Sequence, residues 1–204
     1  MGNPFQISAP SSAGESPRRR LKVAGRCLCR LAVLAWLLLT GGIAPAQPTA
    51  SEDQIKAAFL VKFAHYLEWP ATAFAAADDP VVIGLLGTDT FGPEFDASLR
   101  AFKVAGRPVR VRRLQLVAEA KGCHLLYISP SENERLKSIL AALRGQPIFS
   151  AGDQEDFLKL GGVLRFWRKG ERVAFQINLA ALRETKITAQ PRLLQLSDDP
   201  ARPQ

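Results

Sequence analysis

Chemistry-bearing side chains are scarce in this chain of 204 residues, which holds two histidines, three cysteines, two tyrosines and one methionine. Cys27 and Cys29 lie near the start, so the body of the chain carries Cys123 alone. A lone thiol cannot close an internal disulfide, and a redox role for Cys123 would need a partner chain or a small thiol. His65, His124 and Cys123 are not at i, i+3 or i, i+4 spacing to one another, so no zinc set is expected. A phosphate loop is lacking as well. The segment "GLLGTDTFG" has glycines, but neither the lysine of a P-loop nor the G-x-G-x-x-G spacing of a dinucleotide fold. No cofactor is expected. The adjacent carboxylates Asp78 and Asp79, and Asp198 and Asp199, read as loop and tail solubility, because acid–base work needs carboxyls held apart across a cleft.

A membrane-length apolar run is also missing. After the basic "RRRLKVAGRCLCR" comes "LAVLAWLLLTGGIAPAQ", which is broken by Gly41, Gly42 and Pro45. It falls short of the roughly 18 or more apolar residues that a span requires. A basic segment, a short apolar core and small residues ending Ala44, Pro45, Ala46 form the layout of a secretory signal peptide. Residues 1–46 are therefore expected to be a signal with an N-terminal extension, cleaved near Ala46, with an uncleaved anchor as the alternative. Without them the chain has 21 basic and 18 acidic residues, a net +3 against +8 for the whole. Much of the basic excess thus belongs to the export signal, and no nucleic-acid partner is expected.

What is present is one domain's worth of alternating strand and helix signals. A flexible linker, 47–51, leads to Ser51 as an N-cap, and the spacing of Ile55, Phe59, Phe63, Tyr66 and Leu67 predicts a helix running to Pro70. "PVVIGLLG", "CHLLYIS" and "PIFSA" are short continuous apolar runs, the pattern of buried strands. "VAGRPVRVRRL" reads as a turn and an alternating strand. Helices are expected from Pro93 and over "PSENERLKSILAALRG". "GGVLRFWRKGERVAFQIN" predicts a C-terminal β-hairpin turning at Lys169 and Gly170. Short helical segments follow in "LAALRE" and "PRLLQL", and 197–204 has no signal of order. The expected fold is a single α/β domain over 52–196, with a mixed, partly parallel sheet flanked by helices.

Histidine and cysteine offer little for catalysis. His65 lies among Val61, Trp69, Phe59 and Tyr66 on an apolar helical stripe and reads as a packed or rim residue. Cys123 and His124 are neighbours on a strand, so their side chains point to opposite faces and cannot share a site. The hairpin is richer. Val163, Arg165 and Trp167 fall on one face and Leu164, Phe166 and Arg168 on the other. Trp beside Arg is a composition enriched at binding hot spots. Two readings stand: a binding surface, or a tryptophan capping its own sheet edge.

Taken in order and spacing, "IKAAFLVKFAHYLEWP", "VVIGLLGTDTFG", "GRPVRVRRL", "CHLLYIS", "FLKLGGVLRFW" and "VAFQINLAAL" with "LLQL" resemble the YfiR family of exported bacterial proteins. The resemblance runs from about Glu52 to Leu196. It implies a small, often dimeric periplasmic regulator rather than an enzyme. Such a protein would bind the periplasmic sensory part of an inner-membrane diguanylate cyclase, hold it inactive and so lower cyclic di-GMP. It further implies a possible second partner, an outer-membrane, peptidoglycan-associated lipoprotein that sequesters the repressor. The candidate partner-binding residues are Arg165, Trp167 and Arg168, from the composition of the hairpin, and Trp69, at the end of the first helix before Pro70. Cys123 matches a family cysteine, but its usual disulfide partner is missing. Where relatives show Gly-Leu-Lys-Ile-Ser-Ser, this chain has Lys186, Ile187, Thr188, Ala189, Gln190 and Pro191. The alternative from another class is a periplasmic module that binds a small ligand or a cell-wall fragment.

Overall fold

The structure is a computed structural model that describes residues 51–76 and 78–198. The expected signal segment, most of the linker and the tail from 199 lie outside the described residues.

Ser51 opens helix α1 (Glu52–Ala64) with a reciprocal cap: its hydroxyl accepts the Gln54 N–H, and Gln54 Oε1 accepts the Ser51 N–H. Glu52 and Asp53 occupy the first turn, where the helix dipole favours negative charge. The helix is shorter than its sequence predicts, ending at Ala64 with His65 as C-cap. The chain then extends as β1 (Leu67–Glu68) and pairs antiparallel with a late segment, Leu67 opposite Ala189 and Glu68 opposite Thr188. Gln190 N–H donates to Tyr66 C=O at 2.9 Å. The residue before Pro70 is biased toward extended backbone, and the distant strand satisfies the groups that a longer helix would have used.

The remaining elements follow the expected rhythm: β2 (Val81–Leu86), α2 (Pro93–Leu99), β3 (Lys103–Val104), β4 (Arg107–Leu114) and β5 (Leu125–Ile128). A 3₁₀ stretch (Pro130–Arg135) then leads into α3 (Leu136–Leu143), so the single helix expected there is divided. Next come β6 (Phe149–Gly152), β7 (Leu164–Lys169), β8 (Arg172–Ile177), α4 (Leu179–Glu184), β9 (Thr188–Ala189) and α5 (Pro191–Leu196). Seven strands form one sheet in the order β3-β4-β2-β5-β6-β7-β8. β4, β2, β5, β6 and β7 are parallel, while β3 and β8 run antiparallel at the two edges.

Both faces of the central strands are covered, which is why their sequences are continuously apolar. Leu125 and Tyr127 pack toward α1 and α2, whereas Leu126 and Ile128 pack toward α3. On the first face Phe63 stacks with Phe166 and meets Phe175 edge-on at 4.7 Å. The second cluster contains no residue of β7 or β8. Its core is closed instead by Phe157, seated where a Cβ at Gly152 or Gly162 would collide with the phenyl ring. That close approach explains both glycines sterically.

Candidate functional site

The hairpin β7–β8 turns through Gly170 and Glu171, one residue later than predicted. Gly170 has φ +61° and takes the first loop position, where two-residue hairpins require a positive φ that glycine supplies without strain. Residues opposite one another share a face. Arg165, Trp167 and Lys169 therefore lie beside Gln176, Ala174 and Arg172 on the side without a helix. The Arg165 guanidinium sits 6.0 Å from the Trp167 ring, and its buried Nε has no hydrogen-bond partner. Arg168 projects at the rim, donating Nε–H to Gly170 C=O, with Glu171 3.5 Å away. The hairpin strands and turn carry Arg165, Arg168, Lys169 and Arg172 against one acid, Glu171.

Trp69 is not part of that group. It lies by the amino end of β5, half-buried, where its Nε1–H donates to His124 C=O at 3.0 Å. The His124 ring meets Trp69 edge-on, stacks on Phe74 at 4.4 Å, and Phe74 is in turn covered by the Arg107 guanidinium at 3.8 Å. His124 Nδ1 accepts the Val82 N–H, while Nε2 is buried without a partner. Burial lowers the imidazole pKa and outweighs the opposing pull of the Ala73 backbone and Asp79, with Arg107 acting in the same direction as burial, so the ring stays neutral. His65 is an exposed rim residue whose ring touches Phe102.

Cys123 faces away from His124, as strand alternation predicts. Its buried thiol packs among Leu114, Leu126 and Gly84, with Arg112 Nη2 at 3.0 Å from Sγ. Burial pushes the thiol pKa up despite Arg112, so the reactive thiolate is disfavoured.

One cluster is invisible to sequence spacing. Lys56 on α1 is buried, yet its ammonium holds Asp153 at 2.5 Å and Glu52 at 2.7 Å. Tyr127 donates its hydroxyl to the same Asp153 oxygen at 3.1 Å, and the other, Oδ1, is buried without a partner. Burial works to lower the Lys56 pKa, but hydrogen bonds to Asp153 and Glu52 outweigh it and the net shift is upward. Burial and the Asp153 charge push the Tyr127 phenol upward, so it stays protonated. A charged network of this kind at the carboxyl ends of parallel strands locks α1 to the sheet. The sole local signal is a lysine on an apolar helix, preceded by acids at i−4 and i−3.

The carboxyl-end crevice beside β2, where open α/β sheets bind ligands, is filled from within. A Cβ at Gly87 would lie 2.5 Å from Ser131 Oγ and 2.9 Å from Glu132. A groove of about 360 Å³ instead opens at the amino ends of β6 and β7, with Leu140, Leu143, Ile148 and Val163 as its apolar floor and Lys137, Arg144 and Lys159 at its rim. Among the described residues no group of three His, Cys, Asp or Glu could hold a metal ion. No helix among them is long and apolar enough to cross a membrane.

Residues 53–198 match the family model described as YfiR/HmsC-like. No curated protein matches the chain.

Proposed function

The chain belongs to the YfiR/HmsC-like family, and on that premise we propose that it is a periplasmic regulatory binding protein. It grips the periplasmic sensor domain of an inner-membrane diguanylate cyclase, holds the cyclase inactive and lowers cyclic di-GMP. The observation that supports this reading is the helix-free face of the hairpin, where Arg165 and Trp167 stand together among further cations. Arginine beside tryptophan is the composition that dominates binding energy at protein interfaces. Arg165 and Trp167 form the main contact with Arg168 at its rim, and Trp69, by the amino end of the central strand β5, forms a separate one. Export through the residue 1–46 signal, homodimerisation and sequestration by an outer-membrane, peptidoglycan-associated lipoprotein belong to the same reading. It assigns no catalysis. With one cysteine after the signal, it assigns no intramolecular disulfide switch.

The test pairs a binding measurement with a cellular one. The protein is expected to bind the sensor domain of a cyclase encoded beside it, and deleting its gene is expected to raise cyclic di-GMP. Absence of binding together with unchanged cyclic di-GMP would sink the reading. The 360 Å³ groove favours a second reading, a module for a small ligand or wall fragment. Thermal stabilisation by amino acids or wall fragments, with no protein partner present, is its distinguishing result.

A further inference from the structure

We propose that the outer edge of β8 receives an extended, acidic segment of a partner protein, which adds a strand to the sheet and displaces the chain's own Ser197–Asp198. The inference rests on the reading of this chain as a protein-binding regulator and specifies how the partner is held.

β8 is the last strand of the sheet, so one of its two backbone edges has no strand beside it. A two-residue loop closes on a hydrogen-bonded pair, here Lys169 with Arg172, and hydrogen-bonded pairs alternate from there. The backbone groups of Val173, Phe175 and Ile177 therefore point away from β7. Two of them are occupied by the chain itself. Ile177 N–H donates to Ser197 Oγ at 3.1 Å, and Phe175 C=O accepts the Asp198 N–H at 2.9 Å. The Val173 N–H and C=O and the Phe175 N–H have no protein partner among the described residues. An edge left in this state is a template for strand addition.

The nature of the occupant follows from charge. Ser197–Asp198 does in miniature what an added strand would do, giving one donor and one acceptor to the edge. It also places the Asp198 carboxylate 2.6 Å from Lys169. That ion pair is largely exposed, so the clamp is weak and can be exchanged. A strand laid along β8 would run beside Arg172, with Lys169 and Arg165 one strand further in. Acids at every second residue would all face these cations. A second copy of the chain fits less well. Two-fold antiparallel pairing through Val173 would gather Lys169 and Arg172 of both copies on one face.

The experiment uses the purified protein and a synthetic peptide, acetylated Thr-Glu-Val-Glu-Val-Glu-Thr, with a control carrying lysine for glutamate. The acidic peptide is expected to slow amide exchange at Val173 and Phe175 by ~10-fold or more at saturation and to perturb Trp167 fluorescence. Val173→Pro removes an outward N–H at an edge position where proline is tolerated, together with a side chain that packs on the edge of the first core cluster, and is expected to abolish binding in a protein that remains folded with a somewhat lower thermal midpoint. Arg172→Glu, at an exposed site, provides a second variant with the same expected loss. Asp198→Asn loosens the clamp and is expected to tighten binding about 3-fold, because less of the edge is self-occupied. Equal binding of the lysine peptide, or undiminished binding by folded Val173→Pro and Arg172→Glu, overturns the proposal. So does concentration-dependent self-association that Val173→Pro abolishes. If the cyclase sensor domain binds wild type and Val173→Pro alike, the edge fails and the regulatory reading stands. If the acidic peptide binds the edge and no sensor domain binds at all, the regulatory reading fails and the edge stands.

Discussion

His124 accepts the Val82 N–H through Nδ1, an interaction that only the neutral ring can make. Its folded pKa lies below the ordinary 6.5 because the ring is buried, a cost that outweighs the opposing pull of the Ala73 backbone, with Arg107 adding to the shift and Asp79 partly offsetting it. As pH falls through about 6.5 the unfolded chain takes up a proton that the folded chain refuses, so stability declines until the folded ring protonates too. Urea midpoints at about pH 5.5 are expected below those at pH 7.5. The lowered carboxyls Glu52, Asp89 and Asp96 act only at lower pH, below their ordinary values of 4.5 and 3.8. His124→Asn, which keeps an acceptor for Val82, is expected to remove the slope between pH 7.5 and 5.5. An unchanged slope would locate it elsewhere. Gly162 makes a second prediction at this scale. Its φ is not in the left-handed region, so Gly162→Ala tests space alone, and the new methyl meets the Phe157 ring. Overpacking of this kind costs about 1–3 kcal/mol, measurable as a lower urea midpoint.

Between elements, the Lys56 network ties α1 to β5 and β6 through Tyr127 and Asp153. Removing the cation leaves Asp153 largely buried without its counter-charge. Lys56→Ala is therefore expected to cost about 3 kcal/mol. Lys56→Met with Asp153→Asn should recover most of that loss, because no uncompensated charge remains. A double-mutant cycle in urea measures the coupling, and strict additivity would refute it. The same elements show what the sequence makes legible. "VVIGLL" and "LLYI" announce β2 and β5 because strands buried on both faces must be apolar throughout. The hairpin announces itself through its glycine and its alternation. By contrast, β1 and β9 are two residues each and exist through each other, so the helical spacing around Tyr66 and Leu67 points the wrong way. Lys56 and Asp153 stand 97 positions apart, and no local pattern links them. The Arg165–Trp167 face is readable as a composition, but its placement, half-buried and turned away from α1, follows from the hairpin register.

At the scale of the whole molecule, the two described tryptophans, Trp69 and Trp167, have different surroundings and are expected to behave differently when removed. Trp167 lies on the face without a helix and donates no hydrogen bond found in the structure, so its removal costs the fold little. In the complex its ring would be covered. Trp167→Ala is expected to weaken sensor-domain binding by about 2 kcal/mol, roughly 30-fold in Kd, with little change in the thermal midpoint. Trp69 is anchored through Nε1 to the backbone that enters β5 and packs on His124. Trp69→Ala must therefore lower the thermal midpoint, and as a proposed contact it must also weaken the complex. The pair of measurements separates the two proposed contacts. If Trp69→Ala destabilises the protein but binds the sensor domain with unchanged affinity, the contact is confined to the hairpin end. If Trp167→Ala leaves affinity unchanged, the cationic face is not the interface, whatever its composition.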